Sequence, residues 1–321
     1  MNQDLAHAIE ARKDMLIAGG IVILGGLLLG TVTLIGIGTL APKAPRAQLA
    51  AATTTPAGPN AYANIRLIGE SAIVYDLKTG ETLYAQDADH ALPLASLTKL
   101  ITMYGAAGVL QDGSPVTITK TALAQNGDAA DFGFTEGETF AFKDISRLAL
   151  VASSNTAAAA IAEAAAASKN VTNTQLLASA VTAAGLSHTR ADNGTGLDLT
   201  ADTAGAYGTA RDIAQLAGKL LAKAPEIAGS TVAPSISIHS TEGTLHSLPN
   251  TNQDVVHVPG ILLSKTGFTD LAGGNLVVVY DAGIAHPVAV VVLGSTREGR
   301  FADVQQLIKA TGAHFAGVAD N

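Results

Sequence analysis

The chain changes texture three times along its length. Across residues 15–42 no position is charged, and most are Ile, Leu, Val or Gly. A helix needs about 20 apolar residues to cross a bilayer core. A buried soluble helix would keep a polar face, and this run has none. It is also longer than the roughly 7–15-residue apolar core of a cleavable signal peptide. Residues 15–40 are therefore expected to form a transmembrane anchor, preceded by a short terminus over 1–14. Arg12 and Lys13 lie before it and Lys43 and Arg46 after it, so positive charge does not orient the span. Residues 41–62 are rich in Pro, Ala and Thr and read as a semi-extended linker.

From 63 to 317 the pattern is that of a folded domain. Two β-rich runs, 71–77 and 81–86, flank Lys78-Thr79-Gly80, which is the signature of a hairpin. After Pro93, Ser96 opens a run with Leu97, Leu100, Ile101 and Tyr104 at helical spacing. Residues 137–168 read as two Ala-rich helices broken near Ser153 and Asn155, and 209–223 as an amphipathic helix. Beyond Pro259 three strands are expected, over 261–268, 273–282 and 286–295, followed by a helix over 301–315. A hairpin, a helical middle, more strands and a terminal helix predict an α+β fold. First and last β segments should share one antiparallel sheet with helices packed on it.

Composition narrows the chemistry. Hydrophobic residues make up 48% but aromatics only 4%, so the core must be built from Ala, Val, Leu and Ile. The net charge of -8 comes without a basic stripe, which argues against nucleic-acid binding. There is no cysteine, which excludes disulfides, thiolate nucleophiles and Cys-based zinc sites. The eight His are scattered without metal-ligand spacing, so no metal site is expected.

Three polar clusters interrupt the apolar frame. Ser96 and Lys99 are three positions apart, so on a helix both side chains share a face. A serine needs a base to become a nucleophile, and a buried lysine can serve if its proton affinity falls. By itself the pair is equally a helix cap beside a solvent lysine. Ser153-Ser154-Asn155 stands at the helix break, where Ser and Asn also serve as local caps. Lys265-Thr266-Gly267 repeats the tripeptide of the first hairpin but sits at the end of an expected strand, before a Gly-rich return. Such a strand can hold an extended peptide ending in a carboxylate. The first copy is read as a turn.

Order and spacing then carry a resemblance. Ser-x-x-Lys is followed about 55 residues later by Ser-x-Asn, and about 110 further on by Lys-Thr-Gly. The stretches "SAIVYDLKTGETLYAQDADHALPLASLTKLIT", "LVASSNTAAAAIAE", "AGLSHTRADNGTGLD", "LPNTNQ" and "SKTGFTDLAGGNLVVV" resemble, in order, the serine-type D-alanyl-D-alanine carboxypeptidases. These are the low-molecular-mass penicillin-binding proteins of the β-lactamase/transpeptidase-like superfamily. The resemblance implies that fold and a D,D-peptidase acting on peptidoglycan stem peptides that end in D-Ala-D-Ala. By that resemblance Ser96 is the nucleophile and Lys99 its base. Ser153 relays a proton to the leaving nitrogen with Lys265 supporting it, and Asn155 holds Lys99 and the substrate amide. The backbone N–H groups of Ser96 and Phe268, beyond Gly267, take the oxyanion, while Thr266 and Arg300 hold the terminal carboxylate. β-Lactams are implied as inhibitors, and no cofactor is.

Many members carry a further β-rich domain and an amphipathic tail. Here the N-terminal span is expected to be the anchor instead, which leaves a D,D-endopeptidase as the alternative. Ser154 stands where Gly or Ala is common. A β-lactamase is a poorer match, because Glu163, Glu226 and Glu242 lack the surroundings of its deacylating glutamate. A silent peptidoglycan-binding protein would need neither nucleophile nor base. Because peptidoglycan lies outside the cytoplasmic membrane, the resemblance orients the chain. The terminus is expected to be cytoplasmic, with a single-pass anchor and an external domain.

Overall fold

The computed structural model describes residues 60–125 and 132–317. The expected anchor, the segment before it and the linker up to residue 59 lie outside the described residues. Among the described residues, no helix is long and apolar enough to cross a membrane.

In chain order the strands are β1 (Ser71–Asp76), β2 (Thr82–Gln86), β3 (Leu92–Pro93), β4 (Pro115–Thr117), β5 (Thr139–Ala141), β6 (Arg190–Ala191), β7 (Ala206–Gly208), β8 (Ser235–His239), β9 (Leu245–Pro249), β10 (Ile261–Thr269), β11 (Gly273–Asp281) and β12 (Pro287–Ser295). The helices are α1 (Thr98–Ala106), α2 (Lys120–Leu123), α3 (Phe142–Val151), α4 (Asn155–Lys169), α5 (Asn173–Ala183), α6 (Ala210–Lys223), α7 (Pro225–Gly229) and α8 (Gly299–Phe315).

The expected α+β architecture is present. β10, β11, β12, β1 and β2 form, in that order, one antiparallel sheet. Ser71 pairs with Leu293 and Asp76 with Val288, which brings the first strand against the last. Successive side chains of a strand point to opposite faces. Val288, Val290 and Val292 join Ala72 and Val74 under Val304, Leu307 and Ala310 of α8. Ala289, Val291 and Leu293 join Ile73 against the helical part. Both faces are covered, so the strands read as continuous apolar runs rather than alternating ones.

The helical part explains the alanine content. Most of α4 is buried through Ala157, Ala158, Ala160 and Ala162. Small side chains let helix backbones approach closely. A Cβ on Gly105 of α1 would lie 2.9 Å from Ala180 of α5. The first Lys-Thr-Gly forms the β1–β2 turn, as expected. Asp76 Oδ1 accepts from the N–H groups of Lys78 and Thr79, and Gly80 has φ +78°.

Two local expectations are corrected. Ser96 lies in a 3-10 turn, Ala95–Leu97, that leads into α1 rather than in the helix itself. Lys265 lies in mid-strand, because β10 continues to Thr269 through pairs such as Gly267 with Asn275. Gly267 extends the strand because its missing side chain lets the Ser96 turn come close.

β10 is an edge strand, so one side of its backbone is open to the site. Asn275 of β11 fixes the Ser96 turn to this sheet. It is fully buried, donates from Nδ2 to Pro93 O at 2.9 Å and accepts from Gly294 N–H at 2.9 Å. Asn275→Ala leaves two buried backbone groups unpaired. It is expected to cost about 3 kcal/mol, at roughly 1–3 kcal/mol per orphaned group. Calorimetry should show a Tm lowered by about 6–12 °C for a domain of this size; an unchanged Tm would refute the clamp.

Candidate active site

Backbone strain places both hydroxyls of the site. Ala95 has φ +47° and Ser153 has φ +60°, left-handed values that cost non-glycine residues energy. The first kink turns Ser96 into the cleft ahead of α1, where Thr98 Oγ1 donates to Ala95 O at 2.7 Å. The second sits between α3 and α4. Ser154 caps α4 by accepting from Ala157 N–H at 3.2 Å. The local capping reading of this cluster therefore holds for Ser154, while its neighbours Ser153 and Asn155 line the cleft.

The cleft has a volume of about 870 Å³ and is lined by Ser96, Ser153, Asn155, Thr266, Gly267, Phe268 and Arg300 among others. Lys99 and Lys265 lie beneath its floor, 0% and 1% exposed. All nine residues singled out from the sequence converge here. Lys99 Nζ is 2.7 Å from Ser96 Oγ, 2.7 Å from Asn155 Oδ1 and 2.9 Å from Thr195 O. Lys265 Nζ donates to Ser153 Oγ at 2.8 Å and to Thr266 O at 2.7 Å. The two lysine–serine pairs meet across the cleft from α1 and β10. The glycine of the motif is required by contact, since a Cβ on Gly267 would lie 3.0 Å from Leu94 O and 3.3 Å from Leu97 N.

The electrostatics follow from burial. No carboxylate forms an ion pair with Lys99, Lys265 or Arg300 among the described residues. Desolvation without a counter-charge disfavours the ammonium form. It lowers Lys99 to about 7. Lys265 lies well below its ordinary value, through burial first and then the charges of Lys99 and Arg300. Burial, reinforced by Arg297, also lowers Arg300 to about 10, against a smaller opposing effect of Glu298. Arg300 is 7% exposed and donates from Nη1 to Gly267 O at 2.6 Å, while its Nε has no bonded partner. An anion entering beside it would meet the guanidinium groups of Arg300 and Arg297.

Other residues complete the walls. Thr251 Oγ1 accepts from Thr266 Oγ1 at 2.7 Å. Arg297 stacks over the Phe268 ring at 3.7 Å from its centroid. Asp198 Oδ1 accepts from Thr269 Oγ1 at 3.1 Å. A second hollow of about 560 Å³ shares Thr251, Gln253, Arg297 and Arg300 with the cleft and continues to Asp254, Glu298 and Gln305. Reading for side-chain chemistry missed Thr195 because its contribution is a backbone carbonyl. Its only trace in the sequence is the Gly of "NGTGLD". Thr251 was within reach, as it lies in the stretch "LPNTNQ" that helps carry the resemblance.

Residues 57–297 match the family model described as D-alanyl-D-alanine carboxypeptidase. A D-alanyl-D-alanine endopeptidase of Pseudomonas aeruginosa is 31% identical over 273 residues, covering 81% of this chain and 84% of that protein. The D-alanyl-D-alanine carboxypeptidase DacA of Escherichia coli is 32% identical over 256 residues, covering 74% of this chain but only 59% of that protein. The cefotaxime-bound structure of penicillin-binding protein D2 from Listeria monocytogenes superposes with a TM-score of 0.66 at 27% identity, covering 77% of this chain and 98% of that one. With this match spanning most of the chain and the two lysine–serine pairs assembled in one cleft, the protein belongs to the D-alanyl-D-alanine carboxypeptidase family.

Proposed function

We propose that the protein is a penicillin-sensitive serine D,D-carboxypeptidase that removes the terminal D-Ala from peptidoglycan stem peptides. The observation that carries this is the buried, uncompensated amine of Lys99 at 2.7 Å from Ser96 Oγ. A neutral amine there takes the hydroxyl proton as Ser96 Oγ attacks the carbonyl of the penultimate D-Ala. The developing oxyanion accepts from the N–H groups of Ser96 and Phe268. Ser153, bonded to Lys265, passes a proton to the leaving D-Ala nitrogen. Thr266 and Arg300 hold the terminal carboxylate, and Asn155 holds Lys99 and the substrate amide. Water then hydrolyses the ester on Ser96. A β-lactam places its carbonyl in the same position and leaves slowly.

A second reading, D,D-endopeptidase, is favoured by one observation. The hollow beyond Arg300 gives a leaving residue with a longer side chain somewhere to go. The Pseudomonas aeruginosa relative, named an endopeptidase, is also similar over most of its length. A β-lactamase is less well supported. Glu163 accepts from Thr119 Oγ1, Glu226 pairs with Lys143 and Glu242 accepts from Thr139 N–H, so each is engaged away from the cleft. A silent binding protein gives no reason for two buried lysines to meet two serines. We further propose that residues 15–40 anchor the chain in the cytoplasmic membrane with the domain outside it; the uncharged run over 15–42 supports this.

Three measurements test these readings. The full chain in detergent should be labelled covalently by a fluorescent penicillin and should release D-Ala from a pentapeptide ending in D-Ala-D-Ala. Ser96→Ala should lose both. Label without D-Ala release, together with cleavage of a cross-linked muropeptide dimer, would make the endopeptidase the function; a folded wild type without label would sink both.

Acylation requires the neutral form of Lys99, so its rate should rise with pH through about 7 and level off above it. At two pH units below the midpoint the rate should be about 100-fold lower. A flat profile between pH 5 and 9 would remove Lys99 as the base.

After cell fractionation the chain should stay with membranes through carbonate washing and be extracted only by detergent. Deletion of residues 15–40 should release it, and release of the intact chain by carbonate would refute the anchor.

A further inference from the structure

We propose that Asn193 is a positioning residue for the nucleophile: it builds the loop whose Thr195 carbonyl aims the lone pair of Lys99 at Ser96. This rests on the reading of Ser96 as nucleophile and Lys99 as base. Lys99 Nζ has three close partners. Two of them, Asn155 Oδ1 and Thr195 O, are carbonyl oxygens that only accept. A neutral amine has two N–H groups and one lone pair. With both N–H groups given to the carbonyls, only the lone pair remains for Ser96 Oγ. The hydroxyl must then donate, and its proton moves to Nζ as Oγ attacks. Without the Thr195 carbonyl an N–H of Lys99 is free to turn to Ser96, and the same distance no longer describes a base.

The loop that carries the carbonyl is gathered around the side chain of Asn193. Asn193 Oδ1 accepts from Thr195 N–H at 3.1 Å, Thr195 Oγ1 at 2.9 Å and Gly196 N–H at 2.7 Å. Its Nδ2 donates to Leu197 O at 2.9 Å. The loop is also pinned to the helix that carries Lys99, since Thr102 Oγ1 donates to Gly194 O at 2.8 Å. Gly196, at φ +80°, passes so close to the Ser96 turn that a Cβ would lie 1.8 Å from Ala95 O. None of the hydrogen bonds of Asn193 reaches Ser96 or Lys99, so it acts through the loop that carries the carbonyl. The charged groups facing Lys99 are Lys265 of β10 and, beyond it, Arg300 of α8. Asp198, on the same loop as Thr195, is tied to Thr269.

The test follows acylation of the full chain by a penicillin, resolved into half-saturation and limiting rate across pH, for wild type, Asn193→Ala and Asn193→Asp. In Asn193→Ala the limiting rate at high pH should fall roughly 10-fold to 100-fold, the scale of a small misplacement at a reacting centre. Affinity for a D-Ala-D-Ala pentapeptide, measured in a Ser96→Ala background, should not change. A carbonyl stabilises the ammonium more than the amine, so its loss should move the acid limb to lower pH. Asn193→Asp keeps the acceptor toward the three loop donors, loses the donor to Leu197 O and adds negative charge. It should recover most of the limiting rate with the limb moved to higher pH.

A folded Asn193→Ala with the wild-type rate and limb overturns the proposal. So does a loss of peptide affinity parallel to the loss of rate, because that marks a merely structural loop. If Asn193→Ala does not fold, Asn193→Ser decides, since its hydroxyl still accepts from the loop N–H groups. An intermediate limiting rate supports the proposal and a wild-type rate overturns it. An unlabelled wild type overturns the Ser96 reading and this one with it, whereas a labelled wild type with unaffected variants overturns only this one.

Discussion

Burying the Lys99 amine without a counter-charge is the constraint on which the site depends. An ammonium taken out of water is costly unless a carboxylate or several strong acceptors replace the solvent. Here the partners are neutral oxygens, from Ser96, Asn155 and Thr195. They satisfy an amine without making its charged form cheap, and the group responds by lowering its proton affinity to about 7. An Asp in the place of Asn155 would be nearly the same size and would undo this. It would hold the proton on Lys99 and leave Ser96 without a base.

Keeping such an amine dry requires close packing around α1, and the composition follows from that. α4 and α5 approach α1 through Ala and Gly, which carry little side chain to hold them apart. The sheet supplies the other wall. β10 lies on its edge, so the backbone around Gly267 stays available to the cleft while the opposite side is bonded to β11. Two of the five left-handed non-glycine residues among the described residues, Ala95 and Ser153, aim the hydroxyls, each held by the elements on both sides. Rigid surroundings are what let a strained residue persist.

Much of this was legible in the sequence. Apolar runs in β10, β11 and β12 and the helical spacing after Ser96 gave the order of elements, because burial imposes those periods directly. The Ser-x-x-Lys pair was legible as two side chains on one face. Other features were less so. α5 has a full capping box of Thr172 and Gln175, yet its apolar stripe is short and interrupted. In the β8–β9 hairpin β8 alternates Ser with Ile, but β9 reads Leu-His-Ser-Leu-Pro with no such alternation, a weak signal beside the longer runs. Thr195 was hidden for a different reason. Any residue supplies a carbonyl, so the identity at position 195 carries no trace of the hydrogen bond it makes to Lys99.

The two Lys-Thr-Gly copies show why a tripeptide alone could not decide. In the first, Gly80 is needed for its backbone angle, because the turn between β1 and β2 passes through φ +78°. Lys78 and Thr79 there are exposed, and their N–H groups serve only to close the turn on Asp76. In the second, Gly267 lies in an extended strand and is needed for space, since a Cβ there would press to 3.0 Å from Leu94 O and 3.3 Å from Leu97 N. Lys265 and Thr266 are buried, and each bonds to a group that lines the cleft. One glycine is set by conformation and the other by contact. Only the second requirement couples the tripeptide to a distant part of the chain. That coupling, not the letters, turns a lysine and a threonine into parts of a site.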